Sequence, residues 1–145
     1  MNVIVIGGGA AGFFGAIACA EANPQLKVTL IEAGNKPLAK VRISGGGRCN
    51  VTHHCFEPAR LVANYPRGGK DLRGAFSRFQ PRDTVQWYES RGVKLKTEAD
   101  GRMFPITDSS ETIIKCLIQA ADQAGVELLT GVGVKTVKQY LDDRG

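Results

Sequence analysis

The sequence predicts an α/β fold with a central parallel sheet, and three observations predict it. The apolar run Asn2–Ile6 leads into the glycine-rich turn Gly7–Gly12 and then into a helix of small residues, Phe13–Ala22. A second apolar run, Lys27–Ile31, is followed by an acid, Glu32. The order strand, glycine turn, helix, strand and acid within about 30 residues is typical of a Rossmann-like βαβ unit.

The turn follows the pattern Gly-x-Gly-x-x-Gly, and each glycine has a physical reason. Gly7 permits the tight turn out of the strand, because glycine alone adopts positive φ freely. Gly9 has no side chain, so a pyrophosphate can approach the backbone. Gly12 lets the helix pack closely on the strand. The first helical N–H groups and the positive end of the helix dipole then face the phosphates, so the turn, which includes Ala10 and Ala11, predicts a dinucleotide phosphate site.

Glu32 stands at the end of the second strand, where it is expected to accept hydrogen bonds from the adenosine ribose hydroxyls. A carboxylate would repel a 2′-phosphate, so the sequence disfavours NADP at this position. Ala33, the next residue, belongs to the same predicted site.

The remaining elements are read from periodicity and from glycine and proline positions. We expect three short helices, a hairpin, a long amphipathic helix and a third strand parallel to the first two. These are helices near Pro58–Asn64, Lys70–Phe79 and Arg82–Arg91, a hairpin of Val93–Thr97 and Arg102–Pro105, a helix from Asp108 or Ser109 to Gly125, and a strand at Val126–Thr130. Asp108 and Glu111 have capping-box spacing. A further strand or hairpin arm is expected at Val132–Tyr140.

Composition indicates one ordinary globular domain with an uneven charge. The chain has 145 residues and a net charge of +5. The span from Lys36 to Arg102 holds 14 basic and 6 acidic residues, hence +8, and the rest carries −3. A nucleic-acid partner is therefore one interpretation, but a solvated basic face with a few phosphate contacts is the plainer one. The sequence shows neither a signal peptide nor a membrane-spanning run, so a cytoplasmic protein without membrane contact is expected.

Metal binding and acid–base catalysis find little support. Cys49 and Cys55 lie near His53 and His54, but the spacing matches no usual zinc site and no second ligand pair occurs. No metal site is predicted. The two histidines are candidates for catalysis by position only, and solvated loop histidines are the plainer interpretation. Catalytic residues are thus left unassigned.

A second glycine cluster forms the most distinctive run, Lys40-Val-Arg-Ile-Ser44-Gly45-Gly46-Gly47-Arg48-Cys49-Asn50, within a segment expected to be a loop from Ala33 to Asn50. A backbone this bare suggests a ligand held against the chain. Its N–H groups could form an anion-binding nest, assisted by Lys40 and Arg48. A flexible surface loop is the alternative.

With its continuation to Thr52, this run resembles the signature of the bacterial BaiN-like flavoproteins, NAD(P)/FAD-dependent oxidoreductases also described as aminoacetone-oxidase-like. The segment Asp100-Gly-Arg-Met-Phe-Pro105 and the helix and strand after it are similar too. The resemblance covers essentially the whole chain. It implies that 1–145 is the N-terminal portion of an FAD-binding domain, with a Rossmann-like core at 1–35 and 108–140 and a helical and hairpin insertion at 51–107.

The resemblance implies FAD rather than NAD in the first site. The Gly7–Gly12 turn and Glu32 would hold the ADP half, and the backbone near Val134 would face the adenine. Lys40, Ser44 and the loop Gly45–Asn50 would lie along the pyrophosphate and flavin. Arg48 would place charge near the flavin or phosphates, and Asn50 would hydrogen-bond the ring system. NAD(P)H would serve as electron donor for a small substrate or for oxygen.

The chain is expected to be incomplete at its C-terminus, because members of that family run to about twice its length or more. The further strands, a second glycine-bearing flavin contact and a substrate domain have no counterpart here. Two alternatives therefore stay open. One is a non-catalytic dinucleotide-binding module that needs a missing C-terminal half or a partner, and the other is a relative of the tRNA-modifying flavoproteins.

Overall fold

A computed structural model describes residues 1–139, which form two compact units. One unit comprises Met1–Ala39 and the described residues from Leu117 onward, and the other comprises Lys40–Cys116. No helix within residues 1–139 is long and apolar enough to cross a membrane.

The secondary structure of residues 1–139 consists of six strands, six α-helices and one 3-10 turn. In chain order the strands are β1 (Asn2–Ile6), β2 (Lys27–Glu32), β3 (Thr52–His53), β4 (Leu95–Thr97), β5 (Arg102–Pro105) and β6 (Glu127–Thr130). The helices are α1 (Ala10–Ala22), α2 (Ala39–Ile43), α3 (Pro58–Val62), α4 (Gly69–Phe76), α5 (Pro81–Glu89) and α6 (Ser110–Gln123), and the 3-10 turn is Ser44–Gly47.

The first unit is built on the parallel sheet β1-β2-β6, which confirms the predicted α/β fold. Alternate strand residues share a face, so one row across the sheet is Val5, Leu30 and Leu128. Leu30 is fully buried, as are Phe13 and Ile17 of α1. The small side chains of α1 let this helix lie close to the sheet and form the core of the unit with it.

Helix α1 begins at Ala10, three residues before the expected start. The last residues of the glycine turn are therefore already helical. Pairing to both neighbours places β2 in the centre of the sheet, and the helix follows β1 after only three glycines. Short βα connections of this kind are usual in parallel α/β folds.

The second unit contains the antiparallel sheet β3-β5-β4 and the short helices α3, α4 and α5. The predicted hairpin is confirmed: β4 pairs with β5, and Gly101 adopts φ +84 in the turn between them. Pro81 is the first residue of α5, as expected. The two-residue strand β3 was not predicted, because two residues carry no readable periodicity.

Three local predictions are wrong. The segment Ala33–Asn50 is not all loop, since it contains α2 and the 3-10 turn. Residues 132–139 contain no strand, and Tyr140 lies outside the described residues. A strand needs a hydrogen-bonded neighbour, and no strand within residues 1–139 pairs with this segment.

The predicted capping box at Asp108 is also wrong, because the helix starts at Ser110. Asp108 adopts φ +52, and its carboxylate accepts a hydrogen bond from Lys96 Nζ at 2.5 Å. The Glu111 N–H donates to Ser109 Oγ instead, at 3.3 Å. Asp108 is held in an ion pair with the neighbouring hairpin, and Ser109 caps the helix in its place.

Candidate dinucleotide-binding site

The Gly7–Gly12 turn has the backbone geometry that the sequence predicts. Gly7 adopts φ +104, and its N–H donates to the carbonyl of Ile31 at 2.8 Å. A Cβ on Gly12 would lie 1.9 Å from the carbonyl oxygen of Gly7 and 3.4 Å from Leu30 Cδ1. Only glycine fits at that position, and the close helix–strand packing is confirmed.

The N-terminus of α1 is left bare by the protein. Its N-cap residue, Gly9, is extended, no side chain of residues 1–139 hydrogen-bonds to cap the helix, and the first turn holds no acid. A Cβ built on Gly9 would meet nothing within 4 Å, and Gly9, Ala10 and Ala11 are all exposed. N–H groups that no side chain in this part of the protein caps, at the positive end of a 13-residue helix, fit a phosphate group.

Glu32 is held beside this turn by two backbone N–H groups. Its Oε2 accepts from the Gly8 N–H at 2.7 Å, and its Oε1 accepts from the Gly34 N–H at 2.7 Å. The hydrogen bond from Gly34, and to a smaller extent the one from Gly8, lowers the pKa of the Glu32 carboxyl below its ordinary value of 4.5. The carboxylate is thus ionised at neutral pH, and each oxygen keeps lone-pair capacity for a ligand hydroxyl.

Gly34 was absent from the predicted site, and Gly8 belonged to it only as part of the Gly7–Gly12 turn. Their role could have been read from the sequence, since each lies beside a predicted site residue and glycine permits close approach. A Cβ on Gly8 would lie 2.8 Å from Glu32 Cβ. The missing side chain therefore makes room for the acid.

The segment after β6 runs beside the end of β2. The N–H of Val132 donates to the carbonyl of Glu32 at 3.0 Å, and the N–H of Gly131 donates to the carbonyl of Gly34 at 3.1 Å. A Cβ on Gly133 would be 4.0 Å from Ala33 Cβ, and Val134 follows, exposed. The first unit therefore brings together the glycine turn, Glu32, Ala33 and the approach to Val134.

The second glycine cluster lies in the other unit and is a left-handed turn rather than an extended loop. Gly45, Gly46 and Gly47 adopt φ +55, +68 and +84. A Cβ on Gly45 would lie 2.9 Å from both the Asn50 nitrogen and Phe104 Cε1, whereas one on Gly46 would meet nothing within 4 Å. Gly45 is thus required by packing, and Gly46 presents bare backbone.

Arg48 is already engaged by its own unit. Its guanidinium donates to Glu98 at 2.5 Å, lies 3.7 Å from Asp108 and stacks 4.1 Å above the Phe104 ring. The hydrogen bond to Glu98 raises the pKa of Arg48 above its ordinary value. The structure therefore gives Arg48 a partner for its charge that the sequence did not indicate.

The remaining members of the cluster differ in burial. Lys40 and Asn50 are exposed, Cys49 is buried at φ +61, and Ser44 Oγ donates to the carbonyl of Val41 at 2.8 Å. Burial raises the pKa of the Cys49 thiol, so it stays protonated. Cys49 therefore lacks thiolate character.

Asn50 also lines one wall of a cavity of about 320 Å³ within this unit. Thr52, Tyr65, Phe76 and Thr84 contribute to the same cavity. Aromatic, hydroxyl and amide groups line it, a surface suited to an uncharged group.

The histidines are structural neighbours of the hairpin. His53 Nε2 lies 3.0 Å from the carbonyl oxygen of Asp100, and a Cβ on Gly101 would be 2.4 Å from the His53 ring. His54 makes an edge contact with Phe56 at 4.5 Å. Among residues 1–139, no three His, Cys, Asp or Glu side chains form a group that could hold a metal ion.

Comparison with known proteins decides the family. The family model described as the HI0933-like protein Rossmann domain matches residues 1–144. The chain belongs to this family. The family assigned by resemblance is thereby confirmed, and so is the Rossmann-like fold.

Curated relatives are similar over nearly the whole chain. The ribosomal RNA dihydrouridine synthase of Escherichia coli is 32% identical over 86% of this chain, and the 3-dehydro-bile acid delta(4,6)-reductase of Clostridium scindens is 28% identical over 95%. The matches span only 30% and 33% of those proteins, so this chain spans about a third of their length.

A solved structure supports the fold alone. The THI4 protein of Thermovibrio ammonificans superposes with a TM-score of 0.56 at 13% identity, over 89% of this chain and 37% of that one.

Proposed function

We propose that this chain is the FAD-binding portion of a flavin-dependent oxidoreductase. The observation that carries the proposal is the bare N-terminus of α1, where Gly9 has open space beside it and no side chain caps the helix. Glu32 stands ionised next to it, with lone pairs for ribose hydroxyls. Together these groups suit the pyrophosphate and ribose of an ADP moiety.

The second glycine cluster is proposed, as the resemblance implies, as a contact for the flavin end of FAD. Gly46 offers bare backbone, and Lys40 and Asn50 are exposed for contact with phosphate and ring. Bound FAD would supply hydride transfer between NAD(P)H and a small substrate or oxygen. The protein would supply binding and orientation, and no side chain is assigned to acid–base catalysis.

A separation-of-function variant tests this proposal. Gly9→Ala adds a methyl group where the protein has open space, in a backbone conformation that alanine adopts, so the fold should survive. If the pyrophosphate approaches Gly9, this methyl should weaken FAD binding at least tenfold, about 1.4 kcal/mol. FAD titration followed by flavin fluorescence measures the change.

The control is Gly15→Ala, in the same helix, whose added methyl also meets nothing within 4 Å. It should bind FAD like the wild type. Equal FAD affinity in both variants would overturn the proposed site, as would wild-type protein that binds NAD but ignores FAD.

A second candidate function, action on RNA, is favoured by one observation. Between Pro58 and Arg82 the chain carries six basic residues against one acid, Asp71, for a net charge of +5. All six basic residues are exposed: Arg60, Arg67, Lys70, Arg73, Arg78 and Arg82. A basic surface of this kind attracts phosphate backbones without reading sequence. Two of the curated relatives are named as ribosomal RNA dihydrouridine synthases.

Salt dependence separates RNA binding from small-molecule chemistry. RNA binding through this surface should weaken steeply with salt, and Arg73→Ala with Arg78→Ala should lower the slope of log K against log salt by about 1.4 for single-stranded RNA. Lys27→Ala, in the first unit, is the control. Affinity that is insensitive to salt, or a slope unchanged in the double variant, would remove this candidate.

A further inference from the structure

The cavity of about 320 Å³ in the second unit contains a buried acceptor that lacks a donor. Gln80 lines this cavity, and its Oε1 is buried with no hydrogen-bond partner among residues 1–139. The backbone of Gln80 is fixed at the start of α5, since its N–H donates to Asp83 Oδ2 at 2.8 Å and its carbonyl accepts from the Asp83 N–H at 2.9 Å. A buried acceptor left unpaired costs stability, so this oxygen indicates a donor that comes from outside the protein.

Partly exposed aromatic rings line the same cavity. Tyr65 is 42% exposed and Phe79 is 41% exposed, and the centroid of the Tyr65 ring lies 5.6 Å from that of Phe76. Thr52 and Thr84 add hydroxyl groups to the lining. In the part of the chain that the structure describes, no Lys, Arg, Asp or Glu lines the cavity. The lining therefore suits a planar, uncharged ring that carries an N–H donor.

Exposed cations lie on the elements that form the cavity. Helix α4 contributes Phe76 to the lining and carries Lys70 and Arg73, which are exposed. Arg78, also exposed, lies between α4 and the lining residue Gln80. Lys70 lines a second cavity, of about 520 Å³, that shares Tyr65 with the first. A ring in the first cavity that is joined to phosphate would therefore place the phosphate near positive charge.

We propose that this cavity binds one unstacked nucleobase while the attached phosphates contact these cations. Every standard base has an N–H for Gln80 Oε1 and a π-face for Tyr65. The inference rests on the second candidate function, action on RNA, and goes beyond it, because a basic surface alone binds phosphates without contact to a base. A base with its phosphate occurs both in single-stranded RNA and in a free nucleotide, and two arms of the experiment distinguish these sources.

A comparison of strands with and without bases tests the proposal on the full chain. Fluorescein-labelled oligouridylate of about ten nucleotides, whose base offers a single N–H donor, and an abasic ribose-phosphate strand of equal length are titrated by fluorescence anisotropy. Oligouridylate should bind about tenfold more tightly, because only its bases stack in the cavity, and the salt slopes of the two strands should be equal. Displacement of oligouridylate by uridine monophosphate would assign the cavity to free nucleotides, and resistance to it would assign the cavity to RNA.

Gln80→Leu separates a ligand-binding role from a structural one. It removes the acceptor and keeps a side chain of similar size, so the affinity for oligouridylate should fall about fivefold at an unchanged salt slope. The melting temperature without ligand should stay equal or rise, because no buried acceptor then lacks a donor. Gln86→Leu, at an exposed position of the same helix, is the control and should bind both strands like the wild type.

Three results would overturn the proposal. Equal affinity for the abasic strand and oligouridylate would remove the base site and leave salt-dependent binding to the backbone, and thus the second candidate function, intact. Unchanged oligouridylate affinity in Gln80→Leu would show that only solvent meets the amide. Displacement of oligouridylate by FMN would assign the cavity to a flavin ring instead. Failure of the FAD site is measured separately, with Gly9→Ala.

Discussion

The N–H of Gly8 donates to Glu32 Oε2 at 2.7 Å, which joins the glycine turn after β1 to the acid at the end of β2. The Gly34 N–H holds the other carboxylate oxygen at the same distance. The acid is therefore fixed before any ligand binds, with its charge beside the bare helix N-terminus. Preorganisation of this kind reduces the ordering cost of binding.

The first prediction concerns the pH dependence that Glu32 confers. Because the folded pKa is lowered, the ionised carboxylate stabilises the fold fully above about pH 4.5, and this contribution is lost as the pH falls through the folded pKa. Glu32→Gln should therefore lower the melting temperature at pH 7, and the difference from wild type should shrink below pH 4.5. Thermal melts at several pH values measure it.

The control for this series is Glu57→Gln, at an exposed carboxylate paired with Arg60. Its difference from wild type should stay small throughout. A Glu32→Gln difference that is constant from pH 7 to pH 3 would contradict the account.

The second prediction distinguishes steric overlap from helix propensity at two glycines of α1. Gly12→Ala places a methyl 1.9 Å from the carbonyl oxygen of Gly7, and overpacking of this kind should lower the free energy of unfolding by about 3 kcal/mol. The methyl of Gly15→Ala has no atom within 4 Å, so this variant should raise the free energy of unfolding by about 0.5–1 kcal/mol. Urea denaturation measures both, and similar values for the two variants would show that the helix does not pack as described.

The third prediction makes the same comparison in the second unit. Gly45→Ala and Gly46→Ala both place alanine at positive φ, which should cost about 1–2 kcal/mol in each case. Gly45→Ala also forces a methyl against Phe104 and Asn50, for a further loss of about 1–3 kcal/mol. Urea denaturation of the two variants without FAD checks that Gly45→Ala is the less stable of the two. A Gly45→Ala protein that is more stable than Gly46→Ala would refute the prediction.

The fourth prediction tests whether Arg48 stabilises the unit without any ligand. Arg48→Ala removes both the contact with the Phe104 ring and the partly exposed pair with Glu98. Both losses should lower the urea concentration at the midpoint of unfolding, measured on the protein without FAD. Arg60→Ala, whose partner Glu57 is well exposed, should change stability by less than about 0.5 kcal/mol.

The sequence predicted the first unit well, because strong patterns determine it. The apolar runs at Asn2–Ile6 and Lys27–Ile31 and the spaced glycines specify strand, turn and packing through local sterics. The strand at Val126–Thr130 was predicted as closely, and the structure has it at Glu127–Thr130.

Failures occur where distant residues compete with local signals. Asp108 pairs with Lys96 instead of capping a helix, and Arg48 pairs with Glu98, fifty residues away. Neither pairing leaves a pattern in neighbouring residues. The strand expected from Val132 had no partner within the described chain, and strand formation depends on partners that a local pattern does not contain.

The most direct test of the central claim is a competition titration with the purified chain. If the bare end of α1 and Glu32 hold the ADP half of FAD, then FAD should bind, ADP should displace it, and FMN, which lacks the ADP half, should bind at least tenfold more weakly. Binding of FMN as tightly as FAD, with no displacement by ADP, would contradict the account.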